Sequence, residues 1–134
     1  MRKHLLVPLF LLSLSVATPA WPAEITRTIQ AQIDAFLAGD MDTAFSFASP
    51  GIRNTFRTAE RFGQMVQSGY PMVYRSASVR FLDRRGHPGG GQVQRVMITD
   101  QAGTVHMLDY LMIEGPEGWQ IAGVQILRGG AVGT

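Results

Sequence analysis

The chain has 134 residues, which is the size of one domain and too few for two. Hydrophobic residues make up 46% of it and charged residues 16%, a composition that excludes a disordered chain. The formal charge of +2 disappears if Arg2 and Lys3 leave with a leader, because ten arginines then balance ten acidic residues. A neutral mature chain without an arginine cluster predicts no nucleic-acid partner.

The first 23 residues have the three parts of a secretory signal peptide. MRKH is a basic start, LLVPLFLLSLSVA is an apolar run, and TPAWPA offers small residues for cleavage after Ala17, Ala20 or Ala23. The apolar run is too short to span a bilayer, so no membrane anchor is expected after processing. We therefore predict a signal peptide at 1–23, one domain at 24–128 and a flexible tail at 129–134, in a periplasmic or secreted protein.

The first half of the mature chain is predicted to be helical. An amphipathic stripe ends before Gly39, where a glycine favours a helix C-terminus. Asp40 or Asp42 is the expected N-cap of a short second helix, which the Pro-Gly pair at 50–51 interrupts. A turn of helix follows in IRNTF, and Thr58 is expected to cap AERFGQMVQSG. The residues of the first stripe are Ile25, Ile29, Ile33, Phe36 and Leu37.

The second half predicts four strands, which are rich in valine, isoleucine and aromatic residues: SASVRFLDR, GQVQRVMITD, TVHMLDYLMI and GWQIAGVQIL. Their connections, RRGHPGGG, DQAG and EGPEG, have the composition of turns. Short connections predict an antiparallel meander. Helices followed by strands predict an α+β fold in which the helices pack on one face of a four-stranded antiparallel sheet.

Both faces of the predicted third strand are apolar. Alternation places His106, Leu108, Tyr110 and Met112 on one face, and Val105, Met107, Asp109, Leu111 and Ile113 on the other. We predict that Trp119, Ile121 and Gly123 of the fourth strand face the helices, opposite Ile29, Ile33 and Phe36. A homodimer is expected through the other face of the sheet. Its predicted residues are His106, Leu108, Tyr110, Met112, Val96, Ile98, Ala122 and Val124.

Five segments carry a resemblance to known proteins: IQAQIDAFLAGDMDTAFSFASPGIRNTF, RFGQMVQSGYPMVYR, VQRVMITDQAG, LDYLMI and GWQIAGVQIL. Through them the chain resembles a family of exported bacterial proteins within the nuclear-transport-factor-2-like, or cystatin-like, superfamily. The resemblance implies a curved, cone-like sheet wrapped on helices, often with a pocket and often dimeric through the sheet. It implies no activity, because the family has no assigned function and a fold alone does not supply one.

Asp109 is the most informative single residue, because it lies mid-strand among apolar neighbours. An unpaired buried carboxylate is costly and has a raised pKa. One interpretation is a structural pair with Arg95 or Arg75, or a bond from a tyrosine hydroxyl. The other is catalysis by Asp109 with Tyr110 or His106, as the resemblance to ketosteroid isomerases implies.

The stretch GYPMVYR, residues 69–75, joins the last helix to the first strand. Pro71 is expected to hold Tyr70 in an extended backbone, so that the chain passes towards the strand. Tyr70, Tyr74 and Arg75 are then candidate ligand-binding residues at the rim of a cone, or they pack over the helix ends.

His87 and His106 lack metal-ligand spacing, and no cofactor motif is present, so neither a metal nor a cofactor is expected. The missing catalytic signature favours an exported binding or interaction domain for a small molecule or peptide over an enzyme. The alternative is a cofactor-independent isomerase or dehydratase that uses Asp109 with a tyrosine or histidine.

Overall fold

A computed structural model of the protein describes Pro8 and residues 21–128. The helices are α1 (Trp21–Leu37), α2 (Met41–Ser46), α3 (Pro50–Phe56), α4 (Ala59–Gly69) and α5 (Pro71–Tyr74). The strands are β1 (Ser76–Gly86), β2 (Gln92–Asp100), β3 (Val105–Gly115) and β4 (Gly118–Leu127). They form one antiparallel sheet in the order β1-β2-β3-β4. The predicted α+β class and the meander are confirmed.

The predicted signal peptide lies outside the described residues as far as position 20, apart from Pro8, and the predicted tail at 129–134 lies outside them entirely. Because α1 begins at Trp21, cleavage after Ala17 or Ala20 would leave this helix whole, whereas cleavage after Ala23 would remove its first three residues. Among the described helices, none is long and apolar enough to cross a membrane.

The helix ends follow the capping residues of the sequence. Gly39 has φ 72° just past α1, where a residue with a side chain would be strained. The Asp40 carboxylate accepts a hydrogen bond from the Thr43 backbone N–H at 3.1 Å, and the Thr58 hydroxyl accepts one from the Arg61 N–H at 3.1 Å. The stripe of α1 is buried except for Leu37, which is 44% exposed because the helix ends at that residue.

Both prolines that follow helices begin new ones. Pro50 is the first residue of α3, after the N-cap Ser49, and Pro71 is the first residue of α5. The fixed φ of proline suits the first helical position, where no N–H is needed. Tyr70 keeps a non-helical backbone (φ −135°, ψ 57°), as a residue before proline should. No helix was predicted between Pro71 and the first strand, whereas a helical turn, α5, occupies this stretch.

The helices cover the sheet face that we expected to form the dimer interface. Val96, Ile98, Leu108, Tyr110 and Met112 are all fully buried in the core with the apolar residues of α1, α4 and α5. The predicted face assignment for these residues is therefore wrong. The opposite face, called here the outer face, carries Met97, Met107, Asp109 and Leu111.

The prediction that Trp119 and Ile121 face the helices is correct, because they are 8% and 3% exposed in the same core. A β-bulge in β4 allows them to share this core with the inner-face residues of β2 and β3. The register of β3 and β4 passes from Leu111–Gly123 to Met112–Ile121, so Ala122 is an extra residue in β4. An extra residue reverses the alternation of side chains. Gly123 therefore pairs with Leu111 of the outer face, against our prediction, while Val124 and Ile126 return to the core.

A second bulge lies in β1, between Phe81 and Arg84. The Gln94 side chain, 1% exposed, supports it from β2. Its amide nitrogen donates to the Leu82 carbonyl at 2.9 Å and to the Arg95 carbonyl at 2.8 Å, and its oxygen accepts from Arg84 Nε at 2.8 Å. A buried amide thereby satisfies a backbone carbonyl that the bulge removes from the ladder.

Candidate functional site

A cavity of about 280 Å³ lies between the helices and β4. Ala48 forms part of one wall. Its neighbours are fixed to β4, because Ile121 N–H donates to the Phe47 carbonyl and Ser49 N–H donates to the Ile121 carbonyl, each at 2.8 Å. This short parallel bridge holds the chain between α2 and α3 against the edge of the sheet beside the β4 bulge. The lining residues are Gln32, Phe36, Ala48, Ile52, Phe56, Phe62, Met65, Val66, Tyr70, Val73, Ile121, Ala122, Gly123 and Val124.

Of the described lining residues, only Gln32 and Tyr70 carry polar side chains. The Gln32 amide nitrogen donates to the Ala44 carbonyl at 3.0 Å, and the Tyr70 hydroxyl donates to the Val124 carbonyl at 3.0 Å. Both groups therefore have protein partners. The cavity is suited to an apolar molecule, because the other described lining residues are apolar.

Tyr110 is fully buried, yet it is not one of the residues that line the cavity. Its hydroxyl has no hydrogen-bond partner among the described residues. Burial raises the pKa of Tyr110, and the neighbouring Tyr70 raises it further. Both effects favour the protonated hydroxyl.

Asp109 lies on the outer face, away from the cavity and from Tyr110. Arg95 binds it in a bidentate manner, with Nε at 3.0 Å from Oδ1 and Nη2 at 3.2 Å from Oδ2, and Arg85 Nη2 lies 3.0 Å from Oδ2. Burial raises the pKa of Asp109, but hydrogen bonds and charges from Arg95 and Arg85 together outweigh burial and hold it below its ordinary value. The predicted pairing with Arg95 is confirmed.

The alternative partner, Arg75, does not reach Asp109. Its Nη1 donates to the Phe36 carbonyl at 2.7 Å and to the Tyr74 carbonyl at 3.1 Å, and its guanidinium lies 4.4 Å from the centre of the Tyr74 ring. The Tyr74 ring in turn packs against Phe36, with centroids 6.0 Å apart. Of the three predicted rim residues, only Tyr70 lines the cavity, while Tyr74 and Arg75 pack over the end of α1.

His106 lies near the β2–β3 turn, with Nε2 2.8 Å from Asp100 Oδ2. Asp100 Oδ1 also accepts from the N–H groups of Ala102 and Thr104, each at 2.9 Å. The His106 hydrogen bond is the largest of the effects that lower the pKa of Asp100. This pair closes a hairpin. The structure therefore does not bring Asp109, Tyr110 and His106 together, and no group of acidic and histidine side chains within the described residues could hold a metal ion.

Comparison with known families adds one finding. A family model described as "Domain of unknown function (DUF4864)" matches residues 20–133. The chain belongs to this family. No curated protein and no solved structure matches the chain.

Several lining residues of this DUF4864 domain were missed by sequence reasoning. Gln32 offered a signal, because it interrupts the apolar stripe of α1 between Ile29 and Ile33, and a buried polar residue needs a partner. Ile52 and Phe56 are half-buried residues of the short α3, whose position depends on the bridge to β4. No pattern in the sequence predicts the bridge between Ala48 and Ile121, so no local signal could have placed α3 over the cavity.

Proposed function

We propose that this DUF4864 protein is an exported binding domain that takes a small apolar ligand in the cavity between its helices and β4. The cavity is the observation that carries the proposal. About 280 Å³ lies just below the usual range for ligand sites, about 300–1,000 Å³, and such sites combine apolar walls with a few fixed polar groups. The leader-like composition of the first 23 residues supports export.

The size of the cavity limits the affinity as well as the ligand. A ligand of one or two rings that loses about 200 Å² of apolar surface to the cavity gains about 5 kcal/mol at 25 cal/mol per Å². The loss of translational and rotational freedom on association opposes this gain. The gain alone corresponds to a dissociation constant of about 0.2 mM, so a simple probe such as indole is expected to bind in the millimolar range or more weakly.

The alternative, a cofactor-independent isomerase or dehydratase, requires an acid or base that converges on the ligand. Asp109 faces the other side of the sheet and is held ionised by two arginines. His106 is engaged with Asp100, and Tyr110 does not line the cavity. A carboxylate that already accepts three charged hydrogen bonds is a poor base, so the geometry favours binding over catalysis.

A cone-like, nuclear-transport-factor-2-like architecture and a homodimer also belong to this proposal. Because the helices cover the inner face, the dimer would form through the outer face, where Met97 and Met107 are half-buried. A two-fold interface would cover this patch with its own copy. Sedimentation velocity at micromolar concentration is expected to show a dimer, and a single monomeric species would contradict this part of the proposal.

Indole binding tests the ligand proposal directly. Titration followed by amide resonances should move signals of residues that line the cavity, and Ala48→Leu should weaken binding at least tenfold. Ala48 is fully buried in the cavity wall, so the larger side chain would occupy the ligand's space. Ala38→Leu is the matched control, because Ala38 is exposed just beyond α1. If folded Ala48→Leu binds indole as the wild type does, the cavity is not the binding site.

A further inference from the structure

The outer face carries a charge cluster in which two guanidinium groups, Arg85 and Arg95, share one buried carboxylate, Asp109. Arg95 and Asp109 form a bidentate pair whose charges cancel, and Arg85 adds a second guanidinium to the same Oδ2 atom. Asp83, exposed on β1, exerts a further weak attraction on Arg95. Arg85 is therefore the member of the cluster whose charge is least compensated.

Arg85 also has donors to spare. Its side chain is 51% exposed, and only Nη2 makes a hydrogen bond to the described part of the chain. Nε and the second terminal nitrogen remain for a ligand. The bond to Asp109 restrains the side chain, so that less rotamer entropy is lost when a ligand binds than for a free arginine.

A depression of about 380 Å³ lies beside Arg85, and His87 shares its wall. The Gly89 N–H donates to His87 Nδ1 at 3.2 Å. This bond assigns the acceptor role to Nδ1, so the neutral imidazole carries its proton on Nε2 and can donate there. Val93 and Leu111 supply apolar surface to the same depression, and Gln125 supplies an amide.

We propose that this depression is a second ligand site, which binds a carboxylate attached to an apolar body such as an aromatic ring. The unused N–H groups of Arg85 bind the carboxylate, with His87 Nε2 as a further donor, because a planar guanidinium matches two carboxylate oxygens. The apolar body lies on Val93 and Leu111. This site is centred on the outer-face residues Arg85 and Leu111 and shares only Gly123 and Val124 with the described lining of the helix–sheet cavity. It needs an anion, whereas the cavity needs none.

Benzoate is the probe, with benzyl alcohol as the neutral analogue and acetate as the anion without a ring. Titration followed by amide resonances is expected to move signals of residues around Arg85, His87, Val93 and Leu111. Both analogues should bind at least tenfold more weakly than benzoate. Binding should also weaken as salt is added, because the contact is between exposed charges.

Arg85→Gln should weaken benzoate binding at least tenfold while the pair of Arg95 with Asp109 keeps the sheet intact. Arg80→Gln is the matched control, because Arg80 is an exposed arginine that pairs with Met97 on the same face, away from the depression. Three results would overturn the proposal: unchanged binding in Arg85→Gln, an equal loss in Arg80→Gln, or shifts confined to the helix–sheet cavity. Sedimentation of the same samples supplies a fourth test. If Arg85→Gln converts a dimer into monomers and loses benzoate binding at the same time, the loss follows from dissociation and the proposal is overturned.

Discussion

Replacing Asp109 by asparagine removes one negative charge from between two guanidinium groups. Loss of one partner from a fully buried ion pair costs about 3–5 kcal/mol, because the other charge stays buried without compensation. Asp109 is 7% exposed in its side chain, but Arg95 is 32% and Arg85 51% exposed. Water can therefore rehydrate both arginines, and we expect a smaller loss of unfolding free energy, about 1–3 kcal/mol.

The pH dependence of this loss follows from the lowered pKa of Asp109. The unfolded carboxyl has its ordinary pKa near 4, and the folded one lies below it. Stability from the ionised carboxylate is therefore present above the unfolded pKa and is lost as the pH falls through the folded value. The difference between the wild type and Asp109→Asn should be complete at pH 6–7 and should shrink below about pH 4.

Urea unfolding at pH 7 and at pH 3 measures both quantities. Asp83→Asn is the control, because Asp83 is exposed and only weakly attracts the same Arg95, and it should change stability by less than about 0.5 kcal/mol. A double-mutant cycle with Arg95→Gln isolates the pairwise energy. Equal stability of wild type and Asp109→Asn at pH 7, or a difference that persists undiminished at pH 3, would refute this account of the cluster.

Three further predictions concern the core, the β1 bulge and the N-terminus. Trp119→Ala should lower the unfolding free energy by about 3–5 kcal/mol, and an unchanged melting curve would contradict the packing of this ring. Gln94→Leu should cost about 1–3 kcal/mol, because the Leu82 carbonyl loses its donor, and hydrogen exchange in β1 should accelerate. Mass spectrometry of the exported protein should find an N-terminus within residues 18–24, and intact cytoplasmic protein would count against export.

The local signals in this sequence were strong where a single residue type determines a backbone conformation. Gly39, Asp40 and Thr58 predicted helix ends correctly, because positive φ and unsatisfied N–H groups have few chemical solutions. The strand segments predicted the meander, because short turn sequences join them. Pro71 shows the limit of such signals, because a proline that ends one helix is equally suited to begin the next.

The sequence predicted only one of the two arginines that bind Asp109. Arg95 was a candidate because a carboxylate among apolar residues needs a cation, and cross-strand register then placed it directly opposite. Arg85 was not a candidate, because it reaches Asp109 across β2 only after the bulge has shifted the register of β1. A bulge of this kind leaves no mark in the hydrophobic pattern.

By itself, the amino-acid sequence determined the fold class and the order of the elements apart from α5, and it made Arg95 a candidate partner of Asp109, since each depends on local periodicity or on the chemistry of one residue. Only the tertiary structure decided which sheet face the helices cover. The sequence could not, because the inner-face residues (Val96, Leu108 and Tyr110) and the methionine and leucine residues of the outer face are all apolar enough to be buried. It also decided the position of the cavity and the reversal of side-chain alternation in β4 at Ala122. These depend on how distant segments meet, and hydrophobic alternation carries no information about which neighbour a face will find.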